Sequence, residues 1–205
     1  MLRLKLLFLL GLMTVGVANI NTLHAAETTN QANNEQEKFV SEVGESIRSL
    51  IADKNLPQDQ LESGFRSILK KNFNLHSIGK FVLAKYWRIA TEEEKTEFLK
   101  LFEDSIVKTY AAQFKDYSGE QFKVIGSKEG SDGGTVVLSQ VLRQKPVDVN
   151  WFVREKNGQF QVNDVIVEGV SMSVTQRSEY GAIISKCGNG VQGLIQKLRE
   201  NLAKQ

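Results

Sequence analysis

Several things that would declare a function or a stabilising device are scarce in this chain of 205 residues. It has one cysteine (Cys187), two prolines (Pro57 and Pro146) and two histidines (His24 and His76). A single cysteine excludes an intramolecular disulfide, so the fold rests on its own apolar core. One cysteine and two histidines leave only carboxylate sites for a metal, and no EF-hand loop is present, so no metal and no cofactor is expected. Charge of one sign is missing as well. Removing the two basic residues of the N-terminal leader described below leaves 24 Lys and Arg against 24 Asp and Glu. Overall charge therefore gives no support to nucleic-acid binding. Long apolar runs are absent. The longest, Leu6–Ala18, spans 13 residues and is interrupted by glycines and Thr14, against the roughly 20 that a membrane-spanning helix needs.

That run follows Arg3 and Lys5 and precedes His24-Ala25-Ala26. A basic start, a short apolar stretch and small residues for cleavage read as a secretory signal peptide over 1–26. His24 leaves with it, so His76 is the one histidine of the mature chain. The cleavage region has no cysteine to carry a lipid, and a soluble exported product is expected. Residues 27–37 are polar and read as a flexible tail.

From residue 38 onward the pattern is that of one domain. Phe39, Val43, Ile47, Leu50 and Ile51 recur at helical spacing. A second helix with Pro57 near its start carries Leu61, Phe65, Ile68 and Leu69. A short third, capped by Asn74, carries Ile78, Phe81, Val82 and Tyr86. Thr91-x-x-Glu94 is a capping box that opens the clearest helix, with Phe98, Phe102, Ile106, Tyr110 and Phe114 at four-residue steps. This helical part covers 38–117.

The period then changes to two over 120–172. Strands are expected at Gln121–Gly126, Thr135–Gln144, from Val147 to the Asn157-Gly158 hairpin turn, and at Gln159–Val170. In the second strand, Val136, Leu138 and Leu142 share one side. Two helices close the chain over 173–203. Helices followed by an antiparallel meander make an α+β fold.

Motifs for catalysis are weak. Gly188-Asn189-Gly190-Val191-Gln192-Gly193 matches the dinucleotide fingerprint by letter. However, a helix precedes it, and Gly188 is more simply a helix C-cap. Ser171 lacks the last glycine of a nucleophile elbow. His76 reads as a surface or boundary residue, and Cys187 as a semi-buried thiol at a helix end. Asp164 and Glu168 interrupt an apolar strand, facing either a cavity or solvent. No catalytic constellation emerges, and no enzyme is expected.

Three blocks in register carry a resemblance. They are Phe81–Arg88 (FVLAKYWR) followed by Ala90-Thr91 and Phe98–Tyr110; Asp164–Met172 (DVIVEGVSM) followed by Gln176–Tyr180; and Gly190–Ile195. Together they resemble the MlaC family of periplasmic phospholipid carriers, also called toluene-tolerance proteins, from about Phe39 to Leu202. Cys187 lies outside the family pattern. The resemblance implies an NTF2-like α+β fold, a curved antiparallel sheet wrapped by helices around an apolar pocket for acyl chains. It also implies a monomeric carrier located in the periplasm. Its implied partners are phospholipid, an outer-membrane lipoprotein and porin complex, and an inner-membrane ABC transporter with an MCE-domain subunit, in a system that maintains outer-membrane lipid asymmetry. One branch of the family is associated with hopanoid lipids. Periodicity and the resemblance together nominate Phe81, Phe102, Ile106, Tyr110, Leu138, Val149, Trp151, Val165, Val167 and Met172 as the lining, although periodicity alone allows either strand face. The alternatives from other classes are a cavity enzyme using Asp164 or Tyr110, and a solid-core interaction module.

Overall fold

The structure is a computed structural model that describes residues 26–114 and 119–204. The segment expected to be a signal peptide lies outside these residues up to Ala25. Helices α1 (Ala26–Ala52), α2 (Gln58–Asn72) and α3 (Leu75–Leu83) lead through a 3-10 turn (Ala84–Arg88) into α4 (Glu92–Phe114). Strands β1 (Gln121–Glu129), β2 (Thr135–Leu142), β3 (Val147–Lys156), β4 (Gln159–Val167) and β5 (Val170–Ser171) form one antiparallel sheet in sequence order. Helices α5 (Met172–Cys187) and α6 (Gly190–Leu202) follow. The α+β reading stands.

Local signals explain most boundaries. The Asn74 side chain accepts the Ser77 N–H at 3.0 Å and starts α3. The capping box at α4 is complete: Thr91 Oγ1 accepts the Glu94 N–H at 3.2 Å, and the Glu94 carboxylate accepts the Thr91 N–H at 3.0 Å. Asn157 and Gly158 both have positive φ, 53° and 73°, as a two-residue hairpin turn between twisted strands requires. Gly188 closes α5 at φ 72°.

Three expectations need correction. The stretch read as a loose tail is helical, because α1 begins at Ala26; no proline or glycine interrupts the sequence before Gly44. The last strand does not run through to Val170. Glu168 (φ 49°) and Gly169 (φ 79°) form a second tight turn, and Val170 pairs back on Val167. Tyr86 is not on α3. Ala84, at φ 52°, ends that helix and turns the chain into the 3-10 segment.

The interior divides into a sheet core and a helical core made of three neighbouring clusters. Val40 and Val43 of α1 pack on Val137, Trp151, Val153 and Val162 of the sheet. Helix α1 comes so close to β1 that a Cβ on Gly44 would lie 2.3 Å from the Phe122 ring. On the other side, Phe98 and Phe102 of α4 pack with Tyr180 of α5 and Leu194, Ile195 and Leu198 of α6. Helix α4 rests on α2, α3 and α6 and has no extensive packing on a strand, whereas β4 is met by α2, α3 and α5.

Phe73 joins the two cores. It forms an isolated bridge with Val162 of β4, the Asn74 N–H donates to the Val162 carbonyl at 3.0 Å, and its ring lies edge-on to Trp151 at 6.2 Å. Phe73 also packs with Phe65, Leu69 and Val107. Truncating Phe73 to Ala is expected to cost about 3 kcal/mol, and Asn74→Ala about 1 kcal/mol through the lost cap. Urea denaturation checks both, as midpoints shifted down in that order.

Candidate functional site

β-strand pairing fixes which side chains face the helices. Val137 pairs with Trp151, Trp151 with Val165, and Val149 with Val167, so Val149, Trp151, Val165 and Val167 share the inner face. Leu138 is on the opposite face, with Val136, and this corrects the expected strand side. The disguise is Ser139, which is wholly buried on the inner row. Its hydroxyl donates to the Val149 carbonyl and accepts the Trp151 indole N–H at 3.0 Å. A polar residue whose hydrogen bonds are all met can sit inside, and here it makes the true inner row of β2 look less apolar than the outer one.

On the helical side, Ile106 and Tyr110 of α4 are half-buried. Tyr110 packs near Phe65, with ring centroids 6.5 Å apart, and its hydroxyl donates to Met172 Sδ at 3.7 Å. Met172 opens α5, directly after the short β5, so this contact spans from α4 to the rim of the sheet. The nominated residues thus fall into groups. Phe102 is buried in the helical core, stacked on Phe98 at 5.6 Å, and Trp151 is buried in the sheet core. Ile106, Tyr110 and Met172 of α4 and α5, and Val149, Val165 and Val167 of the inner sheet face, are all half-buried, and we call the line between these two sets the seam. Leu138 and Phe81 join neither side. Phe81 is 41% exposed, with the Arg177 guanidinium 5.0 Å from its ring centre.

Phe73 was missed as the residue that holds the seam at one end. It stands outside both periodic stripes, between the end of α2 and the cap of α3, so no helical or strand period marks it.

The polar candidates have structural duties. The Asp164 carboxylate accepts from the Ser171 hydroxyl at 2.5 Å, the Ser173 N–H at 3.0 Å and its neighbour Val165 N–H at 2.9 Å. It therefore anchors the N-terminus of α5, where negative charge is favoured. Glu168 accepts the Asp148 N–H at 2.7 Å, and its own N–H donates to the Asp148 carbonyl at 2.9 Å, which pins the β4–β5 turn. His76 is exposed and edge-on to Trp87 at 5.3 Å. Cys187 is exposed rather than semi-buried. Among the described residues, no group of three or more His, Cys, Asp or Glu could hold a metal ion, and no helix is long and apolar enough to cross a membrane.

An open cleft of about 480 Å³ lies elsewhere, on the outside of α2, α3 and α4. Arg66, Lys70, Lys100, Glu103 and Asp104 line much of it, and Arg66 bridges Glu103 at 2.6 Å and Asp104 at 2.7 Å. Such an ionised wall suits water rather than hydrocarbon.

Burial, and then the Glu179 carboxylate, raise the phenol pKa values of Tyr110 and Tyr180. The neutral phenol is favoured in the folded state. Its contribution is therefore complete below the ordinary tyrosine range, about pH 10, and is lost as pH rises through the raised values. Alkaline titration followed by tyrosinate absorbance is expected to show a late component in the folded protein. That component should be absent in urea and in the Tyr110→Phe, Tyr180→Phe double variant.

Known proteins are similar to this chain over most of its length. The family model described as MlaC protein matches residues 29–200. A protein of Haemophilus influenzae named intermembrane phospholipid transport system binding protein MlaC is 24% identical over 174 residues, covering 82% of this chain and 78% of that protein. A solved structure of a phospholipid-binding protein from Ralstonia solanacearum, in complex with a phospholipid, matches with a TM-score of 0.71 at 21% identity. It covers 82% of this chain and 97% of that one, and the likeness shows the fold.

Proposed function

The chain belongs to the MlaC family, and from that premise we propose that it is a non-enzymatic carrier that holds phospholipid by its acyl chains and moves it between membranes. The observation that carries this reading is the seam. Half-buried apolar side chains of α4 and α5 (Ile106, Tyr110, Met172) and of the inner sheet face (Val149, Val165, Val167) border a region where α4 is not packed on the strands. In a protein whose interior is otherwise close-packed, apolar side chains left half-buried on two elements suit an apolar guest. The names of the relatives supply the guest's class: one is an intermembrane phospholipid transport binding protein, the other was solved with a phospholipid.

The physical need is plain. Each buried methylene is worth about 0.8 kcal/mol, so one chain of about 16 carbons resists entering water by about 12 kcal/mol. A carrier must offer a lining of comparable quality and still let go. Binding therefore rests on many weak apolar contacts rather than on a tight clamp at the headgroup.

The compartment in this reading is the periplasm, reached through the N-terminal signal peptide. The donor and acceptor are an outer-membrane lipoprotein complex and an inner-membrane ABC transporter with an MCE-domain subunit. Reaction chemistry has no place in it, because Asp164 is held by three hydrogen bonds as an anchor for α5.

Native mass spectrometry of the mature protein, purified without detergent, tests the reading. Stoichiometric phospholipid is expected, and a clean apo mass that persists after incubation with phospholipid vesicles would overturn it. Ile106→Trp and Val149→Trp should each fill part of the seam and lower lipid occupancy severalfold in protein that still melts cooperatively. Full occupancy in both would remove these positions from the lining.

A further inference from the structure

Five large apolar side chains are exposed among the described residues, and four of them belong to two neighbouring stretches. Phe81 (41%) is on α3 and Ile89 (74%) follows the 3-10 turn, while Val170 (53%) and Val174 (54%) flank the start of α5. The fifth, Ile125, lies at the bulge of β1. Helices α3 and α5 pack on each other, and Arg177 of α5 sits over the Phe81 ring at 5.0 Å. Val174 is three residues before Arg177 and so shares its face of the helix. Farther along the same face, Ser185 meets the Tyr86 hydroxyl at 3.5 Å, and Lys85 lies 5.1 Å from the centre of the Tyr86 ring.

The exposed charges beside Phe81 and Val174 are the basic Lys80, Lys85 and Arg177, whereas Val170 has the exposed acids Glu168 and Asp148 near it, the Glu168 carboxylate accepting the Asp148 N–H at 2.7 Å. Glu179, the nearest acid of α5, lies two residues on from Arg177. It is close enough to Tyr110 and Tyr180 to raise their phenol pKa values, so it belongs to another side of the helix.

This rim is continuous with the seam. Met172, which takes the Tyr110 hydrogen bond, stands between Val170 and Val174 in the chain. Exposed Phe and Val beside Lys and Arg is the composition of a surface that lies in a bilayer interface. The apolar side chains enter the headgroup boundary and the cations meet anionic lipid. Arg177 on Phe81 forms an amphipathic pair suited to that depth.

We infer that the rim formed by Phe81, Val170, Val174, Lys80, Lys85 and Arg177 docks on an anionic phospholipid membrane surface, presenting the seam between Tyr110 and Met172 to the lipid. The inference rests on the carrier reading and deepens it: the rim holds the carrier at the bilayer in which its donor and acceptor complexes sit.

Vesicle flotation with the mature chain tests the rim, and native mass spectrometry of the same samples reports cargo separately. Binding is expected to vesicles of phosphatidylcholine with phosphatidylglycerol, weakly to phosphatidylcholine alone, and less at high salt. Arg177→Gln should weaken binding about fivefold, the effect of one basic charge at an anionic surface. Phe81→Ser with Val174→Ser should weaken it at least as much, with lipid content as purified unchanged. Because all three positions are exposed, the variants should melt with the parent; if the double variant does not, Arg177→Gln decides alone. Flotation with neither anionic nor neutral vesicles by a protein that carries lipid would overturn the docking inference and leave the carrier standing. Parental binding by the folded variants would overturn it too. A protein that floats but never holds lipid would overturn the carrier reading, and with it the rim's role of holding a carrier at the bilayer.

Discussion

The sheet and the helical layer are tied together by one pair of consecutive residues, Phe73 and Asn74. Two consecutive residues do three jobs. The Phe73 backbone bridges to Val162, the Asn74 N–H donates to the same strand, and the Asn74 side chain starts α3. The Phe73 ring then reaches Trp151 in the sheet core and Phe65 and Val107 in the helical core. This ties α2 and α3 to β4 at one end, α5 meets β4 at the other, and α4 makes its most extensive contacts with α2, α3 and α6. Ion pairs from Arg66 of α2 to Glu103 and Asp104 of α4 add registration on the outside. Partly exposed, they are worth little energy and serve mainly orientation.

Such an arrangement follows from two opposed demands. A core packed to normal density would be more stable, since each unfilled apolar volume costs free energy. In the carrier reading proposed above, part of that stability is given up so that a guest can supply the missing contacts. Each half of this protein compensates separately. The stacked Phe98, Phe102 and Tyr180 rings make the helical half rigid, and the Trp151–Ser139 hydrogen bond with flanking Phe73 and Phe122 rings does the same for the sheet. Met172, beside Tyr110, is an unbranched side chain that can repack around different neighbours.

What was legible in the sequence was whatever local chemistry decides. The Thr91–Glu94 box, the Asn74 cap, the Asn157-Gly158 turn and the α4 stripe need only residues within a few positions of each other, and all are realised. The features that misled depend on distant partners. Ser139 is admissible inside only because Trp151, twelve residues on, donates to it, so the inner row of β2 resembled an outer one. Phe81 falls on a helical stripe with Ile78 and Val82, but no period tells which edge of a stripe is covered. Here α5 brings Arg177 over that ring rather than an apolar neighbour. Phe73 carries no periodic mark because its partners belong to four different elements, α2, α4, β3 and β4.

The acids show the same limit from the other side. Asp164, within an apolar strand, reads from sequence as a group facing either a cavity or water. It does neither, because the short β5 folds back and brings Ser171 and the first turn of α5 onto its carboxylate. Glu168 is likewise spent on the turn that makes this fold-back possible. A strand that ends in two anchoring carboxylates places Met172 at a defined point facing Tyr110. The polar residues of this segment therefore fix the position of Met172 beside Tyr110.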